Sequence, residues 1–253
     1  MKSPLFAAIV TAAGNSRRMG GRKKEYLCIG KTGDGKDITV LGAVVRTLIA
    51  RIPLIAITVP LSAEAGETAA RAALGSDWAD AWQGTSPPKL IFVPGGMSRR
   101  VSVFHALNAL KPEAPDYVLI HDGARPWIDT GLIDSLMRAA PHYKAVLPVL
   151  PVTETPKELG DCGYIDRHLK RATIALAQTP QAFAFADILR AHELAEAESL
   201  AASPDSPPVE YTDDAEIWGK FIGTVKTVEG SKKNIKITFP EDIAAMSASL
   251  GQR

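Results

Sequence analysis

The sequence predicts an α/β fold: a mainly parallel sheet with helices on both faces. Short apolar runs of buried-strand type alternate with segments of helical spacing along most of the chain. Glycine turns close two of those runs and open into helices, as βα connections do. At 253 residues the chain is long enough for one large α/β unit, and it reads as a single domain over 1–253.

Taken in order, Leu5 to Val10 is the first strand, and the small residues and glycines of Ala12 to Gly21 follow it. Lys31 to Asp37 is a glycine-rich polar turn, read as a solvent loop. Val40 to Ala50 has helical spacing, Leu54 to Val59 is β-branched enough for a second strand, and Ala63 to Ala73 is Ala-rich and helical. Gly75 to Pro88 carries Trp78 and Trp82 and has no functional reading. Lys89 to Val93 is the third strand, Ser98 to Leu110 a helix, and Asp116 to Ile120 the next buried strand. Asp129 to Ala140 reads as a helix and Ala145 to Val149 as a strand. From 151 to 178 the βα rhythm stops, and this excursion reads as a β-arm reaching another subunit, with a long loop as the plain alternative. Beyond a helical stretch and a proline-rich loop at Ser203 to Pro208, Asn234 to Thr238 alternates like a strand. Thr238-Phe239-Pro240-Glu241 then has a capping-box pattern that starts a final helix.

Bulk properties narrow the function classes. A formal net charge of +1 gives no overall footprint for nucleic acid, so any basic site is local. Cys28 and Cys162 lack metal-ligand spacing and are too few for a disulfide framework; they read as ordinary buried or half-buried thiols. No apolar run reaches the roughly 18 residues of a membrane span, and no signal-peptide pattern opens the chain. A soluble cytoplasmic protein is expected.

Four segments could carry chemistry. Small residues at Ala12-Ala13-Gly14, with Arg17, Arg18, Lys23 and Lys24 close behind, let backbone N–H groups approach a ligand and supply charge for a triphosphate. Gly95-Gly96, Arg99 and Ser102 repeat that logic: Ser102 and the Gly96 backbone could read a base, and Arg99 could hold a phosphate or the helix start. His121-Asp122-Gly123-Ala124-Arg125-Pro126 sits where ligand sites of open α/β sheets lie. There Asp122 could orient a ribose, a water or a metal ion, and Arg125 could fork onto a phosphate. Lone His121 reads as structural more readily than catalytic. Thr212-Asp213-Asp214 either caps a helix or supports a pocket.

These segments, with Gln178-Thr179-Pro180-Gln181-Ala182-Phe183 and Asn234-Ile235-Lys236-Ile237-Thr238, resemble the 2-C-methyl-D-erythritol 4-phosphate cytidylyltransferase family in its own order across nearly the whole chain. The resemblance implies a Rossmann-like fold and a protruding β-arm for dimerisation. The implied reaction joins CTP to methylerythritol phosphate with release of pyrophosphate, in the non-mevalonate route to isoprenoids. It implies that Arg18 and a lysine of the Lys23-Lys24 pair act on the transition state. Lys24 is favoured because Lys24-Glu25-Tyr26-Leu27 follows the family's Lys-Gln-Tyr-Leu. Ala12, Ala13, Gly14, Gly96, Ser102 and Gly123 are implied to line the CTP site. Asp122, Arg125, Thr155, Arg171 and Lys236 are implied to face the acceptor, with Thr153 competing for the role of Thr155. Mg²⁺ is implied as cofactor, held mainly by the CTP phosphates with Asp122 as a possible ligand, and a homodimer as the assembly. The chain departs from the pattern at Ser16, where the family usually has glycine, at Lys23-Lys24-Glu25, where it has Pro-Lys-Gln, and at Met97, a position often polar. A cytidylyltransferase for another polyol phosphate such as ribitol 5-phosphate, and a nucleotide-binding protein without catalysis, are the competing readings.

Overall fold

In the computed structural model residues 3–61, 63–202 and 210–243 are described. Strand β1 (Phe6–Thr11) is buried almost to its end. The hairpin of β2 (Cys28–Lys31) and β3 (Asp37–Thr39) has the expected polar turn as its tip. Then come α1 (Val40–Ile49), β4 (Leu54–Val59), α2 (Ala63–Leu74), β5 (Lys89–Pro94) and α3 (Arg99–Leu110). They are followed by β6 (Tyr117–Asp122), α4 (Thr130–Tyr143) and β7 (Ala145–Pro151). All but β2 and β3, which the hydrophobic pattern does not give, fall close to the predicted bounds. Side chains start the helices as caps should: Thr39, Ser98 and Asp129 accept backbone N–H bonds from Gly42, Val101 and Leu132.

The second half adds β8 (Lys157–Leu159), β9 (Ile165–His168) and β10 (Ala175–Ala177). After them come β11 (Gln181–Ala184), α5 (Phe185–Ala201), α6 (Asp214–Phe221) and β12 (Lys226–Glu229). The main sheet runs β10-β7-β11-β6-β1-β4-β5, with β12 also pairing β7. The pairs β6/β1, β1/β4, β4/β5 and β12/β7 are parallel. The fold is thus the Rossmann-like, mainly parallel α/β sheet that the sequence predicts. Alternate residues of the strands feed two cores. One packs on α1, α2 and α4; the other packs on α3, α5 and α6. Trp78 and Trp82, without a functional reading in the sequence, pack against the first core.

Three features differ from expectation. β7 does not extend the parallel series, because β11 lies antiparallel between it and β6. β11 is only four residues long, too short for periodicity to reveal. Asn234 to Thr238 is not a strand: Asn234 and Ile237 are the buried residues, a spacing of three that a pleated strand does not give. Helical backbone does follow from Pro240, but Asp242 rather than Thr238 makes the cap, accepting from Thr238 and Phe239 N–H at 2.7 and 2.8 Å. The two cysteines are exposed rather than buried. Ser203 to Pro208 lies outside the described residues, and no described helix is long and apolar enough to cross a membrane.

The excursion after β7 is a β-arm. β8 and β9 pair in a two-stranded sheet of their own, and β10 returns along β7.

Phe183 of β11 is fully buried against the Trp218 ring, 5.5 Å between centroids. Phe183→Ala should lower unfolding stability in urea by about 3–5 kcal/mol. A loss below about 1 kcal/mol would show that the two cores do not depend on this strand.

Candidate active site

The loops at the carboxyl ends of β1, β5 and β6 surround a cleft of about 610 Å³, the position at which open α/β sheets bind ligands. Glycine is what lets the loops meet. A Cβ on Gly95 would stand 2.2 Å from the Cβ of Ala13, and one on Gly123 would stand 2.9 Å from the Thr11 carbonyl oxygen. Ala13, Gly14, Arg18, Lys24, Gly96, Ser102, Asp122 and Lys236 all line the cleft, from segments far apart in the chain. Ala12 and Gly123 lie behind it: the Ala12 N–H is bound to Thr58 Oγ1, and the Gly123 N–H to the Thr11 carbonyl. Ser102 does not offer a free hydroxyl. Its Oγ accepts from Gly96 N–H at 3.0 Å and donates to the Ser98 carbonyl at 2.9 Å, so the pair frames the turn.

Asp122 is the electrostatic centre. Its carboxylate lies 2.9 Å from Lys236 Nζ, 3.5 Å from Arg99 Nε and 3.6 Å from Arg125 Nε. Burial alone would raise its pKa; Arg99, Lys236 and Arg125 outweigh that and hold it far below the usual carboxylate range. Arg99 in turn bonds Asp214 at 2.7 Å, and fully buried Asp214 lies 3.2 Å from His192 Nε2. Burial opposes the Arg99 charge, but Asp214 and Asp122 more than offset it. This chain of buried charges is the part that the sequence reading missed. Arg99 lines the cleft while bound to both carboxylates, and Asp214 is not the cap. Asp213 is: its Oδ1 accepts from Glu216 N–H at 2.9 Å. Arg125 donates to the Asn234 carbonyl at 2.8 Å and does not line the cleft; in this structure it holds the tail.

The most distinctive motifs turn out to be joints. Gln178 bonds the carbonyls of Ser231 and Asn234, Asn234 Nδ2 donates to the Thr179 carbonyl, and Gln181 bonds Asp213. Thr179 Oγ1 accepts the Asp122 N–H at 3.0 Å and lies 3.1 Å from His121 Nδ1, while His121 Nε2 faces the Arg125 carbonyl at 3.2 Å. The Arg125 carbonyl requires a proton on Nε2, and Nδ1 can accept from Thr179 Oγ1 when the ring is neutral. Burial lowers the His121 pKa to about 4, which makes the ring neutral near pH 7. His121 is structural.

Of the lysine pair, Lys24 lines the cleft and donates to the Ile237 carbonyl at 2.9 Å. Lys23 points back to the Gly14 carbonyl and to Glu25. Burial lowers the pKa of both, against the opposing pull of Glu25. Arg18 is exposed, with its guanidinium 5.7 Å from the Phe239 ring centroid. Thr155 and Arg171 stand on the arm; neither lines the cleft, and Arg171 donates to the carbonyl of Thr153 at 2.7 Å.

Residues 6–252 match the sequence profile of IspD, 2-C-methyl-D-erythritol 4-phosphate cytidylyltransferase. The chain belongs to this family. It is 36% identical over 248 residues to the 2-C-methyl-D-erythritol 4-phosphate cytidylyltransferase of Pelotomaculum thermopropionicum, covering 98% of this chain and 94% of that one. Over 163 residues it is 44% identical to a bifunctional enzyme IspD/IspF of Bradyrhizobium, covering 62% of this chain and only 39% of the relative. The chain thus spans about two fifths of the length of such bifunctional relatives. Among solved structures, the 4-diphosphocytidyl-2C-methyl-D-erythritol synthase of Anaerococcus prevotii superposes with a TM-score of 0.75 at 28% identity, covering 99% of this chain and 97% of that one. IspD family members are nucleotidyltransferases, and in this member the cleft brings together most of the residues that the family pattern marks.

Because folded His121 titrates near 4 and an unfolded histidine near 6.5, the unfolded state takes up the proton first as pH falls. Its contribution, on the order of 3 kcal/mol, is present above pH 6.5 and lost progressively between 6.5 and 4. Urea unfolding at pH 7, 5.5 and 4.5 should show that loss, and His121→Gln should flatten it. An equal slope in both proteins would contradict a neutral buried His121.

Proposed function

We propose that the chain transfers CMP from CTP to 2-C-methyl-D-erythritol 4-phosphate, giving 4-diphosphocytidyl-2-C-methyl-D-erythritol and pyrophosphate in non-mevalonate isoprenoid biosynthesis. What carries the reading is one glycine-framed cleft that presents Arg18, Lys24, Arg99 and Lys236 in a chain matched to IspD over nearly its whole length.

The acceptor phosphate has a second pKa of about 6 and is largely dianionic at neutral pH. One of its oxygens attacks the α-phosphorus of CTP, and the bond from that phosphorus to the β-phosphate oxygen breaks. No proton has to be removed, so a cleft with no histidine among its described lining residues suffices. The barrier is repulsion between anions and the charge gathering on the phosphoryl oxygens, which Arg18 and Lys24 offset. Lys236, paired with Asp122, stands ready for the acceptor phosphate. Mg²⁺ suits this cleft as part of the nucleotide: among the described residues no three His, Cys, Asp or Glu side chains group together, and Asp122 is already engaged by Lys236 and Arg99. Bound to the triphosphate, the ion would neutralise charge on the phosphates.

The reading includes a homodimer in the cytoplasm. The arm exposes Leu159, Tyr164, Ile165 and Leu176, apolar side chains that a second copy would cover. Across that contact, Thr155 and Arg171 would serve the partner's acceptor site.

Pyrophosphate release should occur with Mg²⁺, CTP and methylerythritol phosphate, and not with GTP or without acceptor. Release with ribitol 5-phosphate alone would transfer the chemistry to another polyol phosphate; CTP binding without release would favour a binding-only protein. Arg18→Ala should lower kcat about 10²–10³-fold while CTP affinity changes far less. Equal losses in both would remove Arg18 from the transition state. Arg171→Ala should raise KM for the acceptor and leave CTP binding intact, with light scattering reporting a dimer for the parent protein; a monomer would refute the shared site.

A further inference from the structure

Three side chains of the loop after β1, Ser16, Lys23 and Glu25, meet at one point. The Ser16 hydroxyl accepts the Lys24 N–H at 3.3 Å and donates to Glu25 Oε2 at 3.5 Å. That same Glu25 oxygen lies 3.4 Å from Lys23 Nζ, and Lys23 donates to the Gly14 carbonyl at 2.5 Å. The Ser16 carbonyl also accepts the Met19 N–H at 2.9 Å, closing the turn Arg17–Met19 that presents Arg18. Ser16 therefore holds the turn of Arg18 with its backbone and the turn of Lys24 with its side chain.

Two further observations speak against an incidental contact. Ser16 has φ 48°, a left-handed conformation that glycine reaches without steric cost and serine does not. Glu25 is buried, 3% exposed, beside a cleft lined by cations, and its charge is matched by Lys23 rather than left for a ligand to meet. Both keep the loop in one shape.

We propose that Ser16, Lys23 and Glu25 form a clasp that fixes Arg18 and Lys24 in a single geometry for the triphosphate, making them positioning residues of the cytidylyl transfer. The proposal rests on the reading above for its kinetic readout only. Pre-set cations need no reorganisation as charge develops, so the clasp acts on kcat more than on nucleotide binding.

Ser16→Ala removes the hydroxyl and keeps the Cβ restriction, whereas Ser16→Gly removes the hydroxyl and relieves the backbone. Both should lose about tenfold in kcat with KM for CTP within about twofold, although Ser16→Gly should melt no lower than the parent. Activity recovered in Ser16→Gly alone, or kcat unchanged in both, overturns the proposal. Glu25→Gln keeps the shape and drops the charge; its loss combined with that of Ser16→Ala should fall short of the product of the two, and independent effects would break the clasp into unrelated contacts. Amide hydrogen exchange at Lys24 supplies the readout without catalysis: Ser16→Ala should exchange about tenfold faster, one lost bond's worth. Unchanged exchange refutes the clasp, whereas a parent protein that releases no pyrophosphate refutes the CTP reading and leaves exchange to judge the clasp.

Discussion

A buried carboxylate organises this molecule. Asp122 ends a central strand with almost no exposure to water, and an ion there is tolerated only if its charge is met at close range. Arg99, Lys236 and Arg125 meet it from three separate segments. Each then requires a position of its own: Arg99 is held by Asp214, Arg125 by the Asn234 carbonyl, and Lys236 by the bend of the tail. Solvation of one side chain thereby fixes the approach of α3, α6 and the tail to the end of β6.

The tail illustrates the consequence. Asn234 to Phe239 has no ladder partner, yet nearly every residue of it is used. The Asn234 carbonyl takes Arg125 and Gln178, Lys236 takes Asp122, the Ile237 carbonyl takes Lys24, and the Ile237 N–H meets the Ala124 carbonyl. Backbone groups that a strand would spend on a neighbour are spent here on side chains around the cleft. A short irregular segment thus delivers a lysine to the cleft and braces another.

The same economy explains the histidine. The proposed phosphate nucleophile would need no base, and the imidazole at the end of β6 instead links Thr179 to the Arg125 carbonyl. In the proposed transfer the work would fall to fixed positive charge, and fixed charge is only as good as the scaffold that aims it. Glycines at the loop crossings, Gly95 against Ala13 above all, let those supports come close enough.

The sequence by itself determined the βα alternation, the two glycine turns at strand ends and the position of the arm, because these follow from hydrophobic period and local turn chemistry. It also marked Arg18, Lys24, Asp122 and Lys236, whose segments keep the family's order. It did not reveal β11 between β6 and β7, since four residues carry no period, nor the irregular tail, whose polar and apolar alternation imitates a strand. Nor could it separate residues facing the cleft from those holding it: Arg125 and Gln178 differ from Lys236 only in what stands opposite them in space. That division was decided by the tertiary structure alone, because the partners of a buried charge are supplied by segments that are distant in the chain and adjacent only once the sheet has formed.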